Sequence, residues 1–310
     1  MSEFKHGLSD KFIEQLAEEA NKVSWWADVL NDAQLFIALR NRNINVYWRG
    51  QSLFKVMMGP SGLSAKMHPK FLIEPGLHDE VTLVNGRFGV EGLVDSGIIR
   101  TYEGPETLKK MKKAAGRFSG LEDTGCHDII LANPQVIDRE IGFSGLISLH
   151  DGGTGKRRHL VDLLTLESDG DAVRLVFWEA KHFINRELRA LGAVVPVCEQ
   201  IKRYRQCLSE HRHEIESGYK RVAENLVAFE EMGWKRRLSP LIKEVAKGRP
   251  LTLGADDEDA KVGLVIFGFN KAERDEDNWQ GHLARLKSEV KYVIARGNPK
   301  DIPVKLCACD

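Results

Sequence analysis

The sequence predicts an α/β protein in which a small N-terminal α+β module precedes a larger sheet covered on both faces. Three observations carry this prediction. Near the N-terminus Phe12, Leu16, Ala20 and Val23 recur at helical spacing. Asn85-Gly86 sits between two short extended runs, where the pair accommodates the positive φ angles of a type I′ hairpin turn. Finally, residues 159–166 and 173–181 carry bulky apolar side chains at both parities, the pattern of strands in the covered middle of a sheet.

In chain order, residues 9–39 read as helices. Residues 45–48 and 52–56 read as extended, separated by the turn-prone Arg49-Gly50. The Asn85-Gly86 hairpin joins 81–84 to 87–90. Pro105 opens a helix to about Phe118, and Gly116, Gly120 and Gly125 then punctuate the chain. A boundary near residue 120 gives an accessory module over 1–120 and a second domain over 121–310.

The second domain starts with a three-strand meander. Residues 136–150 form the first strand, 151–155 a turn, 159–166 the second strand, and Asp169-Gly170-Asp171 turns into the third at 173–181. Pro196 then starts an amphipathic helix, with Val197, Ile201, Tyr204 and Leu208 on one face and an end near His213. A helix over 219–229, a buried-type strand over 261–269, a helix over 279–290 and an extended segment over 292–295 complete the reading.

Composition narrows the function classes. A chain of 310 residues with 42% hydrophobic content buries one large core or two modest ones. No segment has the roughly eighteen uninterrupted apolar residues of a membrane span, and the start lacks a secretory leader, so the expected compartment is the cytoplasm and no membrane is a partner. Five scattered cysteines fit reduced thiols, and Cys307 and Cys309 lack the second ligand pair of a zinc site. With 45 basic and 45 acidic residues the whole molecule has no field to draw in a polyanion, so nucleic-acid binding must use local patches. Lys109, Lys110, Lys112 and Lys113 are candidates, as are Lys156-Arg157-Arg158, the group Lys202, Arg203 and Arg205, and Lys235-Arg236-Arg237. Each reads equally as a solvated face, and acidic runs at 256–259 and 275–277 offset them.

The chemistry lies in the meander. Asp162, Glu179 and Lys181 sit in apolar strands, where a buried charge costs several kcal/mol unless a partner or metal compensates. Glu179 and Lys181 share a strand face, since side chains alternate, and the Asp169-Gly170-Asp171 hairpin brings Asp162 beside Glu179. Paired carboxylates of this kind suit a hard cation such as Mg²⁺, with Lys181 as a point charge that orients or deprotonates water and stabilises a phosphoryl transition state. An internal ion pair explains two of the three charges and leaves one over.

The residues His159-Leu160-Val161-Asp162-Leu163-Leu164, Phe177-Trp178-Glu179-Ala180-Lys181 and Gln200-Ile201-Lys202-Arg203-Tyr204 resemble the PD-(D/E)XK, restriction-endonuclease-like nucleases. The last segment is similar to the Gln-x-x-x-Tyr helix of the RecB-like branch. The resemblance implies a mixed central sheet flanked by helices, with Asp162 and Glu179 as metal ligands, Lys181 as the catalytic cation, and Gln200 and Tyr204 near the site on one helix face. Tyr204 also belongs to the apolar stripe of its helix, which gives it a packing role as the alternative. Glu140 is the candidate for a further metal-binding acid, although it alternates like a strand residue where the family places a helix; a surface acid is the other reading.

By this resemblance the chain is a Mg²⁺- or Mn²⁺-dependent deoxyribonuclease, endonuclease rather than exonuclease, acting in defence against foreign DNA or in repair. Its first module would recognise substrate or a protein partner, and a homodimer cutting both strands is a reasonable state. The alternatives are an RNA-cleaving member and a non-catalytic nucleic-acid-binding or assembly protein that keeps the fold. Weaker signals stand beside this. The run Gly152-Gly153-Thr154-Gly155-Lys156-Arg157 reads as a hairpin turn, because His150 and Arg157 occupy the Gly and Ser/Thr positions of a phosphate loop. His182 caps its strand or touches phosphate, His211 and His213 read as surface residues, and Asn185-Arg186-Glu187-Leu188-Arg189 lines the site or forms a solvated turn.

Overall fold

The computed structural model describes residues 6–60, 62–72, 80–90, 97–142, 160–190, 194–254 and 261–306. The later part of the first predicted meander strand, the Gly-rich turn with Lys156-Arg157-Arg158, His159, the acidic run at 256–259, and Cys307 and Cys309 lie outside these residues. The architecture is α/β, with one antiparallel and one mixed sheet and helices flanking them. The chain divides into two compact units: residues 6–127 with 221–238, and residues 128–220 with 239–306. Among the described residues no helix is long and apolar enough to cross a membrane.

In the first unit, α1 (Asp10–Ala20) begins at Ser9, whose hydroxyl accepts from the Phe12 amide, and buries Phe12 and Leu16. Ser24 caps α2 (Trp25–Asn31) in the same way. The helical reading of residues 9–39 is corrected at its end, because Phe36–Arg40 is a strand, β1, antiparallel to β2 (Asn43–Trp48) with Phe36 opposite Tyr47. Leu35 to Leu39 are all buried, so this short run shows no alternation from which a strand is recognised. β3 (Gln51–Gly59), β4 (Gly62–Met67), β5 (Val81–Val84) and β6 (Arg87–Phe88) complete an antiparallel sheet in sequential order. Arg49 and Gly50 have φ of 45° and 79°, and Asn85 and Gly86 have 49° and 75°, the positive pairs that two-residue hairpins require. Helix α3 (Pro105–Ala115) opens on its proline, as expected.

The sheet keeps two distinct faces. Ile44, Val46, Val56, Ala65 and Leu83 are buried. Asn45, Lys55, Lys66 and Thr82, in register across four strands, occupy the other face.

Helix α4 (Leu121–Ala132) contains Gly125, which the sequence reading treats as punctuation. β7 (Val136–Gly142), β8 (Leu160–Asp169) and β9 (Ala172–His182) form the antiparallel meander. The chain then passes through α5 (Pro196–Glu210), α6 (Arg212–Glu231) and α7 (Pro240–Ala246). β10 (Leu251–Thr252) adds a short parallel pairing to β9. β11 (Lys261–Phe267) also lies parallel to β9, α8 (Lys271–Asp275) and α9 (Asp277–Glu289) follow, and β12 (Val293–Ala295) lies parallel to β11. The order β12-β11-β9-β8-β7 makes this sheet mixed.

Every residue of β11 is buried, and β9 is buried without a break from Leu175 to Lys181. The covered-on-both-faces prediction for the third meander strand therefore follows from its composition. Trp178 donates its indole N–H to Thr165 Oγ1 at 2.9 Å and lies opposite Gly263, where a Cβ would stand 2.3 Å from the indole ring. Only a glycine leaves room there.

Candidate active site

β8 and β9 are in register from Asp169 opposite Ala172 to Leu163 opposite Trp178, and one further step sets Asp162 opposite Glu179. The Asp162 carboxylate accepts the Ala180 N–H at 2.7 Å, so its side chain takes the place of a backbone acceptor beside the middle residue of Glu179-Ala180-Lys181. Lys181 Nζ lies 2.7 Å from Glu179 Oε1 and 2.7 Å from Glu187 Oε2. Glu187 belongs to a short 3₁₀ turn, Arg186–Leu188, set by Asn185, whose side chain accepts from the Glu187 amide.

Burial separates the members of this cluster. Glu179 is 1% exposed and Lys181 7%, whereas the Glu187 side chain is 43% exposed. Desolvation alone would discharge the ammonium, yet the carboxylates of Glu179 and Asp162, with hydrogen bonds from Lys181 to Glu179 and Glu187, drive its pKa well above the ordinary lysine value. Lys181 is therefore held as a cation. In this state the ammonium can orient groups and stabilise negative charge.

Tyr204 is fully buried on α5. Its hydroxyl donates to the Leu160 carbonyl at 2.6 Å and accepts from Gln200 Nε2 at 2.6 Å. Burial first, and then the negative charge of Glu179, push its pKa upward, so the phenol is neutral. The Gln200–Tyr204 pair thus fastens α5 to the start of β8, close along the chain to Asp162. The packing and site-lining readings of Tyr204 describe the same side chain.

Glu140 lies on β7. Arg139 opposite Leu163 and Ile141 opposite Val161 bracket it, which places it across from Asp162 in register. A left-handed φ of 49° interrupts the strand at Glu140, and its carboxylate accepts from Arg139 Nη2 at 2.8 Å. Among the described residues no three His, Cys, Asp or Glu side chains gather as a metal-holding group, so Glu140 does not form a three-acid cluster with Asp162 and Glu179 here.

His182 caps the turn after β9: its Nδ1 accepts from the Ile184 amide at 3.3 Å, and Gly268 packs against its ring. One residue in each of two basic patches is drawn inward, while Lys202, Arg203, Lys235 and Arg237 stay exposed. Arg236 is 7% exposed, with its guanidinium 4.7 Å over the Phe36 ring, and Arg205 donates to the Val262 carbonyl. Glu187 is the participant that sequence reasoning does not single out. It lies within a segment that reads as either site lining or solvated turn, and nothing in spacing distinguishes it from Arg186 or Arg189.

Comparison with models of known protein families, with curated proteins and with solved structures finds no match for this chain. The site must therefore be read from its own chemistry.

Proposed function

We propose that the chain is a divalent-metal-dependent nuclease that hydrolyses phosphodiester bonds of DNA. The observation that supports this most is the Lys181 ammonium held 2.7 Å from Glu179 in a strand buried on both faces, with Asp162 on the neighbouring strand. Glu179 and Glu187 contact the one ammonium and Asp162 adds its charge, so negative charge is in surplus, and the oxygens of Asp162 and Glu179 are donors of the hard kind that Mg²⁺ or Mn²⁺ takes. Asp162 and Glu179 would hold the ion, which when bound supplies Lewis-acid polarisation of the phosphoryl group and a nucleophilic water of lowered pKa.

The remaining work falls to the chain. Lys181, kept protonated by its neighbours, stabilises the charge that builds on the phosphoryl oxygens. Glu187, on the exposed side of the ammonium, is the partner that a phosphate oxygen displaces. Tyr204 and Gln200 hold α5 against β8 and so keep Asp162 in place. DNA rather than RNA, and an internal rather than a terminal cut, come from the resemblance to PD-(D/E)XK nucleases, which also suggests roles in defence against foreign DNA or in repair.

A second reading is supported by the Glu187 contact. The cluster would then be a structural ion triad that ties the turn after β9 to the sheet, in a protein that binds without cutting. Calorimetric titration of the purified chain with Mg²⁺ and Mn²⁺ separates the two. The nuclease reading expects binding that Asp162→Asn abolishes, and the structural reading expects none.

A further inference from the structure

The outer face of the antiparallel sheet holds a concavity of about 300 Å³ that the carboxylate site does not use. We infer that this concavity is a binding site for a single nucleic-acid strand, with phosphate on Lys55 and Lys66 and a base against Phe118.

Lys55 and Lys66 lie directly opposite each other on β3 and β4, an arrangement of like charges that an anion between them relieves. Glu80 is the acid in the concavity, 3.8 Å from Lys66 with both side chains largely exposed, so water and salt screen that pair and, among the described residues, leave Lys55 uncompensated. Asn45, opposite Lys55 in register, and Ser52 add an amide and a hydroxyl suited to phosphate oxygens. A positive concavity in a chain with equal numbers of acids and bases is a local device, since the molecule as a whole supplies no field.

The aromatic edge distinguishes a nucleic-acid strand from other anions. Lys70 Nζ lies 4.7 Å over the Phe118 ring and 5.1 Å over Phe71, and it hydrogen-bonds Gln51 Oε1 at 3.1 Å. Gln51 in turn donates to the Phe118 carbonyl, which fixes that residue at the rim. Phe118 remains 41% exposed. A lysine-lined groove with an accessible ring beside it is how proteins hold unpaired strands, through phosphate contacts and base stacking together. A duplex offers no free base face to such a ring, and an acidic peptide gains nothing from it.

The inference is independent of the nuclease reading, because binding is scored without turnover. The experiment is fluorescence anisotropy of a labelled oligothymidylate with the full chain in EDTA over a salt series. It compares wild type, Lys55→Ala with Lys66→Ala, Phe118→Ala, and Lys11→Ala as an exposed lysine outside the concavity and outside every basic run of the sequence, each checked for an unchanged thermal melt. The lysine pair should weaken binding at least about tenfold and reduce the slope of log K against log salt by about 1.4, near 0.7 for each phosphate no longer neutralised. Phe118→Ala should cost about five- to hundredfold with the slope unchanged, and Lys11→Ala should stay within about twofold. No binding by wild type at low salt, or binding untouched by the lysine pair, overturns the site. Loss with the lysines but not with Phe118, or equal competition by duplex or inorganic phosphate, overturns the strand as its ligand.

Discussion

In the antiparallel sheet Lys55 and Lys66 stand on a face that solvent reaches, whereas in the mixed sheet Glu179 and Lys181 stand at 1% and 7% exposure in a strand covered on both sides. The same kinds of side chain carry very different energetic consequences in the two places. On the open face a lysine keeps its hydration and its presence costs little. Inside the mixed sheet each ion loses water at a cost of several kcal/mol, and only close partners keep it charged. A buried charge retained under those terms needs an explanation in function or in architecture, and a surface charge needs none.

Breaking the buried pair should give the largest effect. Lys181→Met leaves Glu179 without its ammonium and should cost about 3–5 kcal/mol, read as the shift in urea midpoint, and adding Glu179→Leu should recover much of it. Gly263→Ala comes next. Its Cβ would meet the Trp178 ring at 2.3 Å inside the closed core, so about 1–3 kcal/mol is expected, whereas Gly59→Ala in the antiparallel sheet has its nearest contact at 3.9 Å and should stay within about 0.5 kcal/mol.

A pH series sharpens the same contrast. Burial, with Glu289 nearby, pushes the Cys198 thiol up to about 11, and burial, with Glu210, pushes Cys207 up to about 12. Both pKa values are raised in the folded state. Their stabilising contribution is therefore complete below about pH 8.5, the unfolded thiol value, and is lost as pH rises toward the folded values. Urea midpoints should fall between pH 8 and pH 10.5 more than in a double Cys→Ala variant. At pH 8 a disulfide reagent should label neither thiol until the chain unfolds. The smallest effects are expected on the open side: Lys55→Ala should alter stability by no more than about 0.5 kcal/mol, and Glu187→Gln by less than about 1 kcal/mol. A Lys55→Ala cost equal to that of Lys181→Met would remove the distinction between the two sheets.

The same distinction explains what is legible in the amino-acid sequence. Glu179 and Lys181 stand out because they interrupt an apolar run, and the Asp169-Gly170-Asp171 turn fixes Asp162 beside them. The Asn85-Gly86 hairpin is readable because its φ values demand those residues. Phe36–Arg40 is not, since a strand buried without a break from Phe36 to Leu39 shows no period to separate it from a helix. α4 is hidden by the glycine inside it. Lys55 and Lys66 alternate with apolar residues as any half-solvated strand does, so their alignment across strands emerges only once the register is known. Glu187 reaches Lys181 through the shape of a turn, which spacing does not encode. Arg236 belongs to a basic run that reads as exposed, and the stacking on Phe36 that buries it is a tertiary contact.

The most direct test of the central claim is digestion of linear, circular and single-stranded DNA by the purified chain with Mg²⁺, Mn²⁺ or EDTA, beside Asp162→Asn and Lys181→Arg. The account predicts metal-dependent cleavage that Asp162→Asn abolishes and Lys181→Arg lowers at least about a hundredfold, because a guanidinium does not fit the ammonium's place between Glu179 and Glu187. Folded, metal-binding wild type that cuts no DNA in any of these forms would contradict it.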